Sequence, residues 1–258
     1  MTDLFSVEGK TVLVTGGARG IGLMIARGFV RAGARVIITS RKTDVCAKVA
    51  DELSAEGQCE AVPADLSSDA GAESLAAAVR ERLDRLDVLV NNAGATWGAP
   101  LEAYPESAFD KLWAVNVKAV FRLTTALLPA LRAAASADDP ARVINIGSID
   151  GIRVPWMEVY AYSATKAAVH MLTRGLAHQL AGERITVNAI APGPFESKMM
   201  AFALDDPESR AAIEQQVPLG RIGRPEDMAG TAIYLSSRAG AYLTGAVIPV
   251  DGGITTHG

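Results

Sequence analysis

Short apolar runs alternate with longer amphipathic stretches from Thr11 to near the C-terminal end, the pattern of a parallel sheet covered by helices on both faces. The runs TVLVT (11–15), RVIITS (35–40), CEAVPA (59–64), DVLVN (87–91), RVINIG (142–147), ITVNAI (185–190) and VIPV (247–250) predict strands. Segments 20–32, 43–56, 70–84, 107–135, 158–181 and 226–236 predict the helices between them. Pro129 lies inside the fourth of these, where its missing N–H predicts a kink or a break. No Pro-, Ser- or Gly-rich stretch and no internal repeat divides the chain, so residues 1–258 read as one α/β domain, a doubly wound, Rossmann-like parallel sheet. The one irregular insertion, 192–225, carries Met199, Met200, Phe202, Leu204, Ile213 and Val217; it predicts a small apolar helical flap, a flexible substrate lid at about 193–224.

Composition narrows the partners. With 258 residues, 49% hydrophobic and 21% charged, the chain has ample material for a large core. A net charge of -4 offers no basic surface for nucleic acid or an anionic membrane, which leaves small soluble partners. The opening MTDLFSVEGK lacks the regions of a signal peptide, and no apolar run approaches the roughly 18 residues of a membrane span, so a cytoplasmic protein is expected. Cys46 and Cys59 have neither CxxC spacing nor a histidine companion, and His170, His178 and His257 have no carboxylates at ligand spacing. These histidines are expected at the surface or hydrogen-bonded, and no metal is expected.

Candidate chemistry begins at Tyr162-Ser163-Ala164-Thr165-Lys166, which puts a phenol and an ammonium four residues apart on one helix face. A nearby ammonium favours phenolate and predicts a phenol pKa below the usual ~10, an acid or base tuned toward working pH. Tyr160 is a rival phenol, but four residues on it has Ala164 and no cation. Directly after the first strand, Gly16-Gly17-Ala18-Arg19-Gly20-Ile21-Gly22 opens a helix, the setting for pyrophosphate against backbone amides and a helix N-terminus. The second strand ends Ser40-Arg41-Lys42, with no acid before Asp44 to bind ribose hydroxyls. Arg41 can hold a 2′-phosphate and Arg19 can reach it, which favours NADP(H), with NAD(H) as the other candidate.

Together with Asp65 after the third strand, Asn91-Asn92-Ala93-Gly94 after the fourth, Asn116, Ser148 after the fifth and Pro192-Gly193 after the sixth, these motifs resemble the single-domain short-chain dehydrogenase/reductase family across essentially the whole chain. Within it, PADLSSDAGA (63–72), NNAGATWGAPLEAYP (91–105) and ARVINIGSIDGI (141–152) are similar to 3-oxoacyl-[acyl-carrier-protein] reductases of the rhamnolipid-pathway type. The resemblance implies that Asp65 bonds the adenine amino group with Leu66 packed beside it. It also implies that Asn92, Ala93 and Gly94 run along the adenosine ribose, and that Pro192, Gly193 and Ser197 line the nicotinamide. It casts Tyr162 as the proton donor and Lys166 as the group that lowers its pKa and grips the nicotinamide ribose. Ser148 becomes the hydrogen-bond donor to the carbonyl and Asn116 the holder of a water that returns protons to Lys166. Gly147 stands where many relatives have a second serine.

Around this site the order of the chain gathers Ala95, Thr96, Trp97, Ile152, Val154, Pro155, Trp156, Met157, Phe195, Met199 and Phe202, a wall suited to an aliphatic or aromatic ketone. The implied reaction is NADPH-dependent reduction of a ketone to a secondary alcohol, with a 3-oxoacyl thioester on acyl carrier protein or coenzyme A as a candidate substrate. For such a carrier Arg132, Arg153 and Arg174 are the candidate cations, while Asp138 and Asp139 speak against it. The alternatives are oxidation of a sugar, polyol or steroid alcohol, and a non-catalytic cofactor-binding protein. The C-terminal segment 242–253 resembles the family's subunit contacts and implies a homotetramer.

Overall fold

The computed structural model describes residues 4–197, 200 and 206–256. Met199, Phe202 and Leu204 of the expected flap, and His257, lie outside the described residues. The strands are β1 (Thr11–Thr15), β2 (Arg35–Thr39), β3 (Gln58–Ala61), β4 (Val88–Asn91), β5 (Ala141–Ile146), β6 (Ile185–Pro192) and β7 (Val247–Val250). They pair in parallel in the order β3-β2-β1-β4-β5-β6-β7. The order reverses between β1 and β4, and at such a switch point the loops after two neighbouring strands part and leave a crevice.

Alternate residues of each strand point to opposite faces, and both faces are buried. Val12 and Val14 pack with Ile25, Phe29, Ile38, Met228 and Leu235 on one side. Leu13 packs with Leu75, Leu89, Leu123, Leu127 and Val187 on the other. Two-sided burial explains why the strands read as unbroken apolar runs. The first face is covered by α1 (Gly20–Arg31), α2 (Thr43–Ser54) and α8 (Pro225–Ser236). The second is covered by α3 (Asp69–Arg80), α5 (Ala119–Ala134) and α6 (Tyr160–Leu180). Helix α4 (Glu106–Trp113) leads into α5 through a π turn, Ala114–Lys118, and α7 (Pro207–Gln216) lies in the insertion after β6.

Regular pairing of β3 stops at Ala61, short of the expected 64, although the N–H groups of Val62 and Ala64, on either side of Pro63, still donate to the Ile38 and Ser40 carbonyls at 2.9 and 3.2 Å. The break expected at Pro129 is absent: α5 runs through it. Carbonyls near the proline find donors outside the helix, Ala126 from the Arg80 guanidinium at 2.9 Å and Ala130 from the Leu86 N–H at 3.0 Å. Within the described residues, Glu106–Ala134 is long and apolar enough to meet the length and composition of a membrane span. Its apolar face, with Leu112, Leu123, Leu127 and Leu131, is the side that packs into the protein.

Two buried polar networks fix the layers. Asn91 donates to Thr124 on α5 and to Asn145, which donates to Thr173 on α6, so β4 and β5 are bonded to the helices above them. At the opposite end of the strands, buried Arg142 donates to the carbonyls of Leu235 and Ser237 and to Asp139. Arg142→Ala strands these acceptors without donors and is expected to reduce unfolding free energy in urea by about 3–5 kcal/mol. A loss below about 1 kcal/mol would show the network to be dispensable.

Candidate active site

The glycine turn after β1 and the loops after β4 and β5 gather at the C-terminal edge of the strands. After β1 the chain turns through Gly16, whose φ is +65, and Gly20, with φ +51, conformations that side chains disfavour. A Cβ on Gly22 would lie 2.4 Å from the Gly16 carbonyl oxygen and 2.4 Å from Asn92 Nδ2. These contacts make a cradle of bare backbone opening on the N-terminus of α1, where the Arg19 cap leaves the first amides free of a side-chain acceptor.

Thr15 joins this cradle to the loop after β4. Its hydroxyl donates to the Val90 carbonyl at 3.2 Å and accepts from the N–H groups of Asn92 and Ala93, both at 2.9 Å. Asn92 returns a bond from Nδ2 to the Thr15 carbonyl at 2.8 Å. Ile21 opens α1, half-buried against the apolar core on that face. Leu66 is buried, while Asp65 stays exposed with Oδ1 accepting from the Ser67 N–H at 3.0 Å. That bond, and the charge of Arg41 beyond it, hold the Asp65 carboxyl below its ordinary range. Arg19 and Arg41 are exposed, and across the cleft Ser197 Cβ comes 3.3 Å from where a Cβ on Gly20 would stand. Pro192 ends β6, and a Cβ on Gly193 would fall 2.8 Å from Asp251.

The reacting end lies where β5 meets α6. Ser148 caps the short 3-10 turn Ile149–Gly151, its Oγ accepting from the Asp150 N–H at 3.1 Å. The same hydroxyl lies beside the Tyr162 phenol and acts to lower its pKa. One turn along α6, Lys166 is buried, with Nζ donating to the Ile146 carbonyl at 2.7 Å and standing 5.6 Å from the Tyr162 ring centroid. Desolvation pulls the Lys166 ammonium down to about 8.

The phenol does not behave as the four-residue spacing predicts. Burial, with a smaller push from the Asp150 charge, raises Tyr162 to about 12 against the lowering effect of the Ser148 hydroxyl. Lys166 is not among the groups that shift it: the ammonium sits beneath the ring and spends a proton on Ile146. Tyr162 is therefore a neutral, loaded phenol at physiological pH. Tyr160 is set apart from this site, its hydroxyl bonded to Glu158 at 3.3 Å on the surface.

Asn116 sits in the π turn, a local widening that recurs at functional sites. Its Nδ2 donates to the Ala95 carbonyl and to Thr165 Oγ1, both at 3.0 Å, and Oδ1 accepts from the Ala95 N–H at 2.9 Å. The side chain thus clamps the loop after β4 onto α6. Asn116 Oδ1 and Lys166 Nζ both face Gly94, 3.2 and 3.7 Å from where its Cβ would stand, so a side chain there would fill the space between them.

Several residues fall elsewhere than the sequence suggests. Phe195 is 2% exposed and packs on Gly223 in the base of the insertion, not on the substrate wall. Arg132 pairs with Glu183, and Asp139 with Lys10 and Arg142, at the far end of the strands. Arg153 remains at the mouth, 4.3 Å over the Trp156 ring. Trp97, Ile152, Val154, Trp156 and Met157 are exposed there. Asp150 was not legible as a site residue, because an acid after the Ser148 position has no motif of its own. His170 is neither at the surface nor hydrogen-bonded throughout: it is 5% exposed and its Nε2 has no partner among the described residues.

A nucleotide cradle at the switch point of a parallel sheet, with serine, tyrosine and lysine at its reacting end, defines a pyridine-nucleotide oxidoreductase. The chain belongs to the short-chain dehydrogenase/reductase family. Residues 16–255 match the family model described as Enoyl-(Acyl carrier protein) reductase. The chain is 54% identical to the rhamnolipids biosynthesis 3-oxoacyl-[acyl-carrier-protein] reductase of Pseudomonas aeruginosa, covering 98% of this chain and 99% of that one. A solved RhlG/NADP active-site complex from Pseudomonas aeruginosa superposes with a TM-score of 0.96 at 54% identity, covering 99% and 100% of the two chains. A 3beta-hydroxysteroid dehydrogenase of Eggerthella lenta is 36% identical over 97% of this chain and 95% of its own.

The Asp150 charge disfavours phenolate, so Asp150→Asn is expected to lower the Tyr162 pKa. The alkaline fall in ketone reduction should then begin at lower pH, and alcohol oxidation, which needs the phenolate, should set in at lower pH. Paired pH–rate profiles check this; an unmoved or upward-shifted alkaline limb contradicts it.

Proposed function

We propose that this protein is an NADPH-dependent reductase that turns a ketone bearing an extended apolar substituent, of the 3-oxoacyl thioester class, into a secondary alcohol. The observation that carries the proposal is the placing of Ser148 and Tyr162 beside buried Lys166, whose Nζ stands 5.6 Å from the Tyr162 ring centroid, at the edge of a glycine cradle that leaves no room for side chains. The cradle fits a dinucleotide, because Gly16, Gly22 and Gly94 each bring backbone where a Cβ would collide or crowd.

The bound cofactor supplies the hydride; the chain supplies position and the proton. Ser148 accepts from the Asp150 N–H, which leaves its own hydroxyl proton free to meet the carbonyl oxygen. Charge building on that oxygen approaches an alkoxide, whose conjugate acid lies near the ~15.7 of water, so transfer from a phenol at about 12 is downhill. Lys166 keeps two protons beyond the one given to Ile146, and these serve the ribose hydroxyls. Return of the proton runs between Lys166 and a water held beside Asn116 at Gly94. Asp65, Leu66, Asn92 and Ala93 take the adenosine half, and Pro192, Gly193 and Ser197 the nicotinamide.

Arg41 and Arg19 serve the 2′-phosphate, since no acid follows β2 to compete for the ribose. Exposed Trp97, Ile152, Val154 and Trp156 favour an acyl chain over a sugar acid, and Arg153 is the cation at the mouth for an anionic carrier. The insertion at about 193–224 acts as the lid, pivoting on buried Phe195 and on Val217, which packs with Ile149 and Ile254. Assembly as a homotetramer would cover the apolar groove of Val117, Phe121 and Leu172 and the exposed Tyr242. A cytoplasmic setting agrees with two buried free cysteines.

Tyr162→Phe is expected to leave NADPH binding intact while lowering turnover of a 3-oxoacyl thioester by roughly 10²-fold or more. NADPH oxidation and fluorescence titration measure the two, and undiminished turnover rejects the assignment. Arg41→Ala is expected to raise KM for NADPH roughly tenfold or more with little change for NADH; equal losses would remove Arg41 from the 2′-phosphate site.

A further inference from the structure

His170 lies one turn beyond Lys166 on the same face of α6 and is 95% buried, yet no catalytic step above uses it. Its ring edge points at the turn that carries Ser148. A Cβ on Gly147 would fall 2.1 Å from His170 Nε2 and 2.7 Å from Cδ2, and one on Gly151 would fall 3.0 Å from Cε1 and 2.7 Å from the Ala167 nitrogen. The imidazole therefore occupies side-chain space at both residues that bracket Ser148–Asp150. Neither glycine has a positive φ, so backbone conformation does not demand them; the approach of α6 does.

We propose that His170 is a positioning residue for the reaction: its imidazole fills the notch left by Gly147 and seats the Ser148 turn against the helix that carries Tyr162 and Lys166. The inference rests on the reductase reading of that site. Ser148 must meet both the Tyr162 phenol and the carbonyl oxygen, and a displacement of about 1 Å in such a pair is worth up to roughly 10²-fold in rate. The seat is rigid because Gly147 is pinned from its other side, its N–H donating to the Ile190 carbonyl at 2.7 Å. The ring is suited to the position because it stays neutral beside a buried ammonium. Burial first, then the charges of Lys166 and Arg174, hold it down to about 4 against a smaller raising effect of the Gly151 backbone.

The test is a double-mutant cycle on the full chain with NADPH and a 3-oxoacyl thioester, reading kcat and the Kd of NADPH separately. His170→Ala is expected to lower kcat by roughly tenfold or more with NADPH Kd within about twofold, since the ring touches the serine turn and not the nucleotide cradle. Gly147→Ala, whose added methyl meets the imidazole, is expected to show the same split. The double variant is expected to turn over at least about threefold faster than Gly147→Ala alone, because removal of the ring relieves the collision. Wild-type kcat in His170→Ala, or a double variant that loses the product of the two single losses, overturns the proposal. Should His170→Ala fail to fold, His170→Asn takes its place in both comparisons. Absence of ketone reduction by the wild type would instead reject the reductase reading, so the two failures are distinguishable.

Discussion

A primary ammonium carried into the interior is the constraint around which the rest of the site is arranged. Desolvation draws Lys166 down to about 8, so it keeps its charge at neutral pH, and its Nζ donates to the Ile146 carbonyl. Its neighbours follow from that exposure to low dielectric. A Cβ on Gly94 would crowd Asn116 Oδ1 at 3.2 Å and stand 3.7 Å from Nζ. His170, one turn away, has to remain uncharged. Tyr162, above it, holds its proton because burial outweighs the lowering effect of the Ser148 hydroxyl.

The sheet makes this arrangement affordable in structural terms. The cradle after β1, the loop after β4 and the serine turn after β5 all leave adjacent parallel strands at the same edge, so modest sequence segments far apart in the chain meet within one crevice. Thr15 bonds the first two loops directly, and Asn116 bonds the second to α6. The chain Thr124–Asn91–Asn145–Thr173 sits one layer deeper and fixes the strands beneath. Each buried polar group in these links has a partner, which is the condition under which such networks rigidify a core rather than weaken it.

Most of the architecture was legible because two-sided burial writes itself as apolar runs, and glycine marks close backbone approach. The parallel α/β class and the glycine turn after the first strand were therefore legible from residues such as Val12, Val14, Gly16 and Gly22. What the sequence could not carry was the balance between opposing effects at one atom. Spacing brings Lys166 to Tyr162, but whether charge or desolvation governs the phenol depends on depth, and depth governs. Pro129 marks a lost donor, yet α5 runs through it, with Leu123, Leu127 and Leu131 on either side packed into the core. Phe195 reads as pocket wall from its apolar neighbours and is instead core, since Gly223 lets its ring in. The π turn at Asn116 has no sequence signature at all.

The protonation states bear on direction. With the phenol near 12 and the ammonium near 8, the site at neutral pH holds protons on both groups. Reduction of a ketone consumes one of them at the moment charge appears on the carbonyl oxygen. Oxidation of an alcohol would first require the phenol to lose its proton, against both burial and the Asp150 charge. The same burial that makes Tyr162 a weak acid in isolation makes it a reliable donor to an alkoxide, whose affinity for a proton is greater by several orders of magnitude. On the proposed reading, a site in which desolvation dominates waits with the proton that ketone reduction consumes already on Tyr162, with no need for a phenolate stabilised by its neighbour.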